Sequence, residues 1–296
     1  MSAGGAARVA MQEGDPMKIH IHPISTGRVR IKEAQRARRP GGPLRVMGDR
    51  DWSDWLPIHV WLIDHPEGPI LVDTGETCGA GRAGYFPRWH PYYRRSVAFA
   101  ITPDEELRPA LARLGVRIQD VRTVLLTHLH TDHAGGLGHL AHSAVWVSAS
   151  EWRLARGWGG ALRGYVTHHW PEGLAPRFYD FSGPPLGPFA RTCVITKARD
   201  VVVVPTPGHT PGHVSVIVRI DDVRYFLAGD ASYTEAALRV RVADGVTFFP
   251  RAAVRTLDRI AAYARTEPTV YLPTHDPRSV ARLRAAEILV ADGGSP

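Results

Sequence analysis

Residues 127–133 read Thr-His-Leu-His-Thr-Asp-His. Three imidazoles and a carboxylate packed this closely are costly to assemble without a cation: protonated rings repel, and buried neutral rings each need a partner. Imidazole nitrogen and carboxylate oxygen are zinc-type ligands. In an extended loop His128 and His130 fall on one side and chelate one ion, leaving Asp132 and His133 to turn toward a second. A further phrase, Thr-Pro-Gly-His-Thr-Pro-Gly-His at 206–213, fixes a tight backbone that aims one histidine. Asp230 and His275 each close a strand-like run. Alone, Asp230 reads as a turn acid and His275 as a helix cap; beside the cluster, both read as ligands.

The elements that must position these groups form a repeat. His59–Thr74 reads as a buried strand, a turn at 66–68 and a second strand ending in Asp73. Val214–Asp230 repeats the pattern, with alternating Val216, Val218 and Ile220, a turn at Asp221-Asp222 and a return to Asp230. A helix and a strand follow each hairpin. The first helix is expected to start at Thr102-Pro103-Asp104-Glu105, a capping box with proline at its first position. It carries Leu107, Leu111 and Leu114 on one face and stops at Gly115. Strand Thr123–Leu126 then delivers His128. In the second half Ala252, Leu257, Ile260 and Ala261 mark a helix, and strand Thr269–Leu272 delivers His275. Duplicated β–β–α–β halves predict an αββα sandwich, two mixed β-sheets flanked by helices. Residues 76–101 and 157–200 lack periodicity and read in part as loops over a site.

Composition narrows the field. Of 296 residues 44% are hydrophobic and 22% charged, which excludes a disordered chain or a coiled coil. No apolar run nears the roughly 20 residues of a membrane span. Two cysteines, Cys78 and Cys193, make no disulfide framework, so a reducing compartment, the cytoplasm, is expected. The net charge of +7 is spread over scattered arginines, densest from Arg28 to Arg39, and reads as a soluble basic surface more than a nucleic-acid site. Residues 1–16 read as a loose tail and 17–296 as one hydrolase domain, opening with a strand over Lys18–Ile24.

These motifs resemble the metallo-β-lactamase superfamily: Asp73 in Val72-Asp73-Thr74-Gly75, the His-x-His-x-Asp-His run at 128–133, His209, Asp230 and His275, in that order. The resemblance covers about residues 17–276. It implies the αββα fold and two divalent metal ions, Zn2+ first, with Co2+, Mn2+ or Fe2+ as alternatives. It places His128, His130 and His209 on one metal and Asp132, His133 and His275 on the other. Asp230 bridges, and Asp73 supports the site without ligating. The family spacing selects His209 over His213.

Two adjacent cations that share a hydroxide make hydrolysis the expected chemistry. No glutathione-binding helical region is expected after His275, and the spacing from Asp230 to His275 is expected to exclude a nucleic-acid-processing insertion. The segment Gly229-Asp230-Ala231-Ser232-Tyr233-Thr234 is similar to the N-acyl homoserine lactone lactonases, the quorum-quenching branch, which implies that Tyr233 reaches the substrate carbonyl. Asp132 is the candidate proton shuttle to the leaving alkoxide. Thr131 stands where known lactonases carry an aromatic residue, which bears on chain-length preference. Acyl-chain contacts are assigned to Phe86, Trp89 and Trp158, from an aromatic set that includes Tyr85, Tyr92, Tyr93 and Trp170. The alternatives are hydrolysis of another lactone, ester or organophosphate and, as a lesser reading, a nucleic-acid-associated protein of the same fold. By analogy with dimeric lactonases, residues 28–58 are the candidate homodimer surface; no membrane partner is expected.

Overall fold

Leu56–Asp64 has apolar side chains on both pleats, and a strand with two apolar faces must be covered from both sides. In the computed structural model, which describes residues 18–247 and 249–290, Ile58, Val60, Trp61, Leu62 and Ile63 are all fully buried. This strand, β2, is central to a seven-stranded sheet. Its members are β1 (His20–Ile31), β2, β3 (Ile70–Val72), β4 (Val97–Ala100), β5 (Thr123–Leu125), β6 (Ala144–Val147) and β7 (Arg177–Phe178), in the order β4-β1-β2-β3-β5-β6-β7. The second sheet holds β8 (Cys193–Val194), β9 (Val201–Pro205), β10 (Val214–Ile220), β11 (Val223–Gly229) and β12 (Thr269–Pro273), in the order β12-β11-β10-β9-β8. Both sheets are mixed.

The predicted repeat is visible in the pairing. Hairpin β2–β3 is antiparallel, and a crossover through the helix Leu107–Arg113 brings β5 parallel to β3. Hairpin β10–β11 is antiparallel, and a crossover through the helix Pro250–Thr266 brings β12 parallel to β11. Alternation sorts the side chains into layers. Trp61, Ile63, Val72 and Leu125 meet Val203, Val216, Leu227 and Leu272 between the sheets. Leu62, Leu71 and Val124 pack outward on Leu107 and Leu111, and Ile217, Phe226 and Tyr271 on Leu257 and Ile260. The result is the αββα sandwich.

Two expectations need correction. The first strand does not stop at Ile24 but runs to Ile31, its register shifting between Ser25 and Arg28, where Gly27 has φ +105°. The capping box of Thr102 and Glu105 closes a separate turn, Pro103–Glu105, and the helix begins only at Leu107. Glu106 is extended between them, and Pro109, lacking an N–H, falls in the first helical turn, where none is needed. Within 76–101 lies β4, which pairs with β1. The expected tail 1–16 lies outside the described residues, as does Met17.

Candidate metal centre

Four chain segments converge where the parallel strand pairs end. Past β3 stands Asp73, at φ +63°, a left-handed conformation that aspartate tolerates. Past β5 come Thr127 and His128, past β11 Asp230, and past β12 Thr274 and His275. A single helical turn, Thr131–Ala134, swings Asp132 and His133 round, and the 206–213 loop adds His209. That loop lies close on the helix Ala149–Arg156: a Cβ on Gly212 would fall 2.5 Å from Glu151 N.

The near atoms of these side chains form two overlapping groups. His130 Nδ1 lies 3.1 Å from His128 Nε2 and 2.9 Å from His209 Nε2. His275 Nε2 lies 3.4 Å from Asp132 Oδ2, and His133 Nε2 4.0 Å from Asp132 Oδ1. Asp230 stands between them. Its Oδ2 is 3.5 Å from His209 Nε2, while Oδ1 is 3.3 Å from His133 Nε2 and 3.4 Å from His275 Nε2. Tetrahedral ligands about 2.0 Å from one ion sit about 3.3 Å apart, close to these spacings.

Each imidazole is held by its far nitrogen. His130 Nε2 donates to Arg163 O, His275 Nδ1 to Pro57 O, His133 Nδ1 to Asp73 Oδ2 and His209 Nδ1 to Asp244 Oδ2, at 2.8–3.1 Å. Thr127 Oγ1 donates to Asp73 Oδ2, so it accepts from His128 Nδ1 at 3.1 Å. In the neutral tautomers whose far nitrogens carry the proton, the near nitrogens present lone pairs within the two groups. This is the arrangement by which outer partners orient metal-binding histidines. The mutual repulsion calls for a cation. His133 Nε2 and Asp230 Oδ1, both buried, make no hydrogen bond among the described residues. The residues present therefore fit divalent metal.

Charge supports this. Burial, then the neighbouring rings of His133 and His130, push His128 well below the usual imidazole range. Burial works against charge on His133 and His275 as well, but Asp230 outweighs it and raises both rings above the ordinary range, while they hold the Asp230 carboxyl well below its own; the carboxylate thus draws positive charge to this spot, as a bound cation would supply. His213 lies apart from the set. Its Nε2 accepts from Asp230 N at 3.0 Å and its Nδ1 faces Thr206 Oγ1 at 2.9 Å, so one nitrogen holds the Asp230 backbone and the other is taken by Thr206.

The family model of the metallo-beta-lactamase superfamily matches residues 53–275. The chain belongs to this superfamily. Among its relatives, a Mycobacterium tuberculosis protein named "Probable metallo-hydrolase" is 32% identical over 196 residues, 62% of this chain and 59% of the relative. The chain thus spans about three fifths of that relative's length. The N-acyl homoserine lactonase AttM of Agrobacterium fabrum is 26% identical over 243 residues, covering 78% of this chain and 86% of AttM. The solved structure of an N-acyl homoserine lactone hydrolase with N-hexanoyl-L-homoserine at its catalytic metal centre superposes with TM-score 0.71 at 22% identity, covering 90% of this chain and 96% of that one.

In this member of the metallo-beta-lactamase superfamily the centre forms the floor of a cavity of about 340 Å3. Asp132, Asp230 and His275 line it, and Tyr233 stands beside them, its ring 5.5 Å from that of His275. The walls are apolar: Val29, Ile31, Met47, Val97, Phe99 and Leu162. Much of one wall comes from residues 28–58, the stretch expected to form a dimer surface. Three of the expected acyl-chain contacts do not line this cavity. Phe86 stacks behind it on Tyr93 and Phe99, whereas Trp89 and Trp158 point outward, 57% and 99% exposed. Tyr92 and Tyr93, from the same aromatic set, do line it. Thr131 also lines it, and its hydroxyl donates to buried Glu76, whose carboxyl burial pushes up to about 8.

Several contributors escaped the sequence reading. Asp244 holds His209. Glu151 accepts from Leu129 N and Tyr165 Oη through Oε1, and from Thr210 Oγ1 and Gly212 N through Oε2, tying the two histidine loops together. Gln35 donates to Tyr233. None belongs to a local motif; each is brought in from a distant segment. Cys78 and Cys193 are unpaired, and no helix among the described residues is long and apolar enough to cross a membrane.

Proposed function

We propose that this protein is a dinuclear metal-dependent hydrolase that opens the lactone ring of N-acyl homoserine lactones. The observation that carries the reading is Asp230, whose two oxygens face two different histidine groups at the floor of an apolar cavity that also holds Tyr233. His128, His130 and His209 would hold one ion, Asp132, His133 and His275 the other, with Asp230 shared; the donor set suits Zn2+. Two such ions, when bound, lower the pKa of water toward neutrality and polarise a carbonyl oxygen. The relatives named as N-acyl homoserine lactonases support the substrate class.

The chain's own residues do the rest. The apolar walls take the acyl chain and exclude water from it. Tyr233 Oη donates to the lactone carbonyl as negative charge develops there. Asp132 accepts the proton lost by the attacking water and returns it to the ring oxygen, which would otherwise leave as an alkoxide. The test is acid release from a panel of acyl homoserine lactones, simple esters, thioesters, β-lactams and phosphotriesters. Acyl homoserine lactones are expected to be the best substrates; a phosphotriester or thioester hydrolysed far faster would overturn the assignment.

A further inference from the structure

Gln35 lies in the short helical turn Glu33–Arg36 and is buried against the cavity. Its backbone is pinned on both sides, by Gln35 N to Lys32 O at 2.8 Å and Gly245 N to Gln35 O at 2.7 Å. Its side-chain amide spans two cavity-lining phenols. Tyr92 Oη donates to Gln35 Oε1 at 2.9 Å, and Gln35 Nε2 donates to Tyr233 Oη at 2.8 Å. The amide is polar at both ends, so this order has a consequence. Once Oε1 takes the Tyr92 proton, Nε2 must face Tyr233. A phenol oxygen that accepts there keeps one O–H of its own, and no other protein acceptor meets that hydroxyl among the described residues.

We propose that Gln35 is a positioning residue: by donating to Tyr233 Oη it turns the Tyr233 proton into the cavity, toward the substrate carbonyl, while Tyr92 sets the sense of the amide. This rests on the lactonase reading above. The opposite sense of the amide makes the opposite claim. Tyr233 would then donate into Oε1 and offer only lone pairs to a carbonyl oxygen, which would repel it. A purely structural role for Gln35 makes a third claim, loss of activity unconnected to Tyr233.

The experiment measures kcat and KM for N-hexanoyl homoserine lactone in metal-loaded Gln35→Glu, Tyr92→Phe and Tyr233→Phe, and in both double variants with Tyr233→Phe. A carboxylate at 35 only accepts, so it draws the Tyr233 proton away from the cavity. Gln35→Glu is expected to lower kcat about 10-fold or more with a smaller change in KM, and to cost nothing further in the Tyr233→Phe background. Tyr92→Phe, which frees the amide to turn, is expected to give a smaller loss that vanishes in the same background. Unchanged kcat in Gln35→Glu overturns the proposal, as does an equal loss in both backgrounds. An unaffected Tyr233→Phe strikes the lactonase role of Tyr233 and this inference together; an impaired Tyr233→Phe beside an unaffected Gln35→Glu strikes this inference alone. Should Gln35→Glu fail to fold, Gln35→Met, close in length and without a strong donor or acceptor, takes its place. A kcat loss confined to the Tyr233 background then supports the relay, and no loss overturns it.

Discussion

Tyr233 combines a buried ring with a hydroxyl that has one proton to give. Tyr233→Phe removes that proton and leaves the ring. It is expected to lower kcat/KM for acyl homoserine lactones by about 1–3 kcal/mol, the size of one hydrogen bond to developing charge, with metal content unchanged. Unchanged kinetics would make Tyr233 a packing residue. Asp132 is tested through the leaving group. Asp132→Asn is expected to slow lactones, whose alkoxide needs a proton, far more than activated aryl esters, whose phenolate does not. Equal slowing of both, in protein that keeps two ions, would reduce Asp132 to a ligand. At this scale the cluster of histidines and aspartates is legible because these residues at close spacing have few other uses. The residues that aim them are not. Asp244 stands 35 positions from His209 and Gln35 stands 198 from Tyr233, and neither has a local pattern to betray it.

Between the elements, Glu151 is the joint. Its carboxylate takes four donors from two loops and Tyr165, so the helix Ala149–Arg156 sets the distance between His130 and His209. Glu151→Gln puts an NH2 where an oxygen accepted. The hydroxyls can turn to accept from it, but one backbone N–H stays unpaired. The expected loss is about 1–3 kcal/mol of stability, read from urea unfolding, with weaker retention of the ion at His128, His130 and His209. An unchanged unfolding free energy would contradict this role. The hairpin–helix–strand repeat is legible because strand and helix periods differ and the turns carry Gly, Pro or Asp. The bend in β1 and the late start of the Leu107 helix are not: the first depends on pairing with β4, the second on how a proline is accommodated after a turn already capped.

Over the whole molecule, the duplicated halves bring four strand ends to one edge of the two sheets, so that neither half alone holds a complete site. The cavity above that edge takes a wall from residues 28–58. Neither that wall nor which aromatics face inward is legible: residues 28–58 read as a dimer surface, and Trp89 and Tyr92 differ by three positions and point opposite ways. The central claim is that two ions in this one centre drive lactone opening. It is tested most directly by stripping the protein with a chelator and following acid release from N-hexanoyl homoserine lactone while Zn2+ is returned in measured steps. The account predicts no release from stripped protein, recovery with added metal and a plateau at about two bound ions per chain. Full activity at one ion per chain, or no lactone opening at any loading, would contradict it.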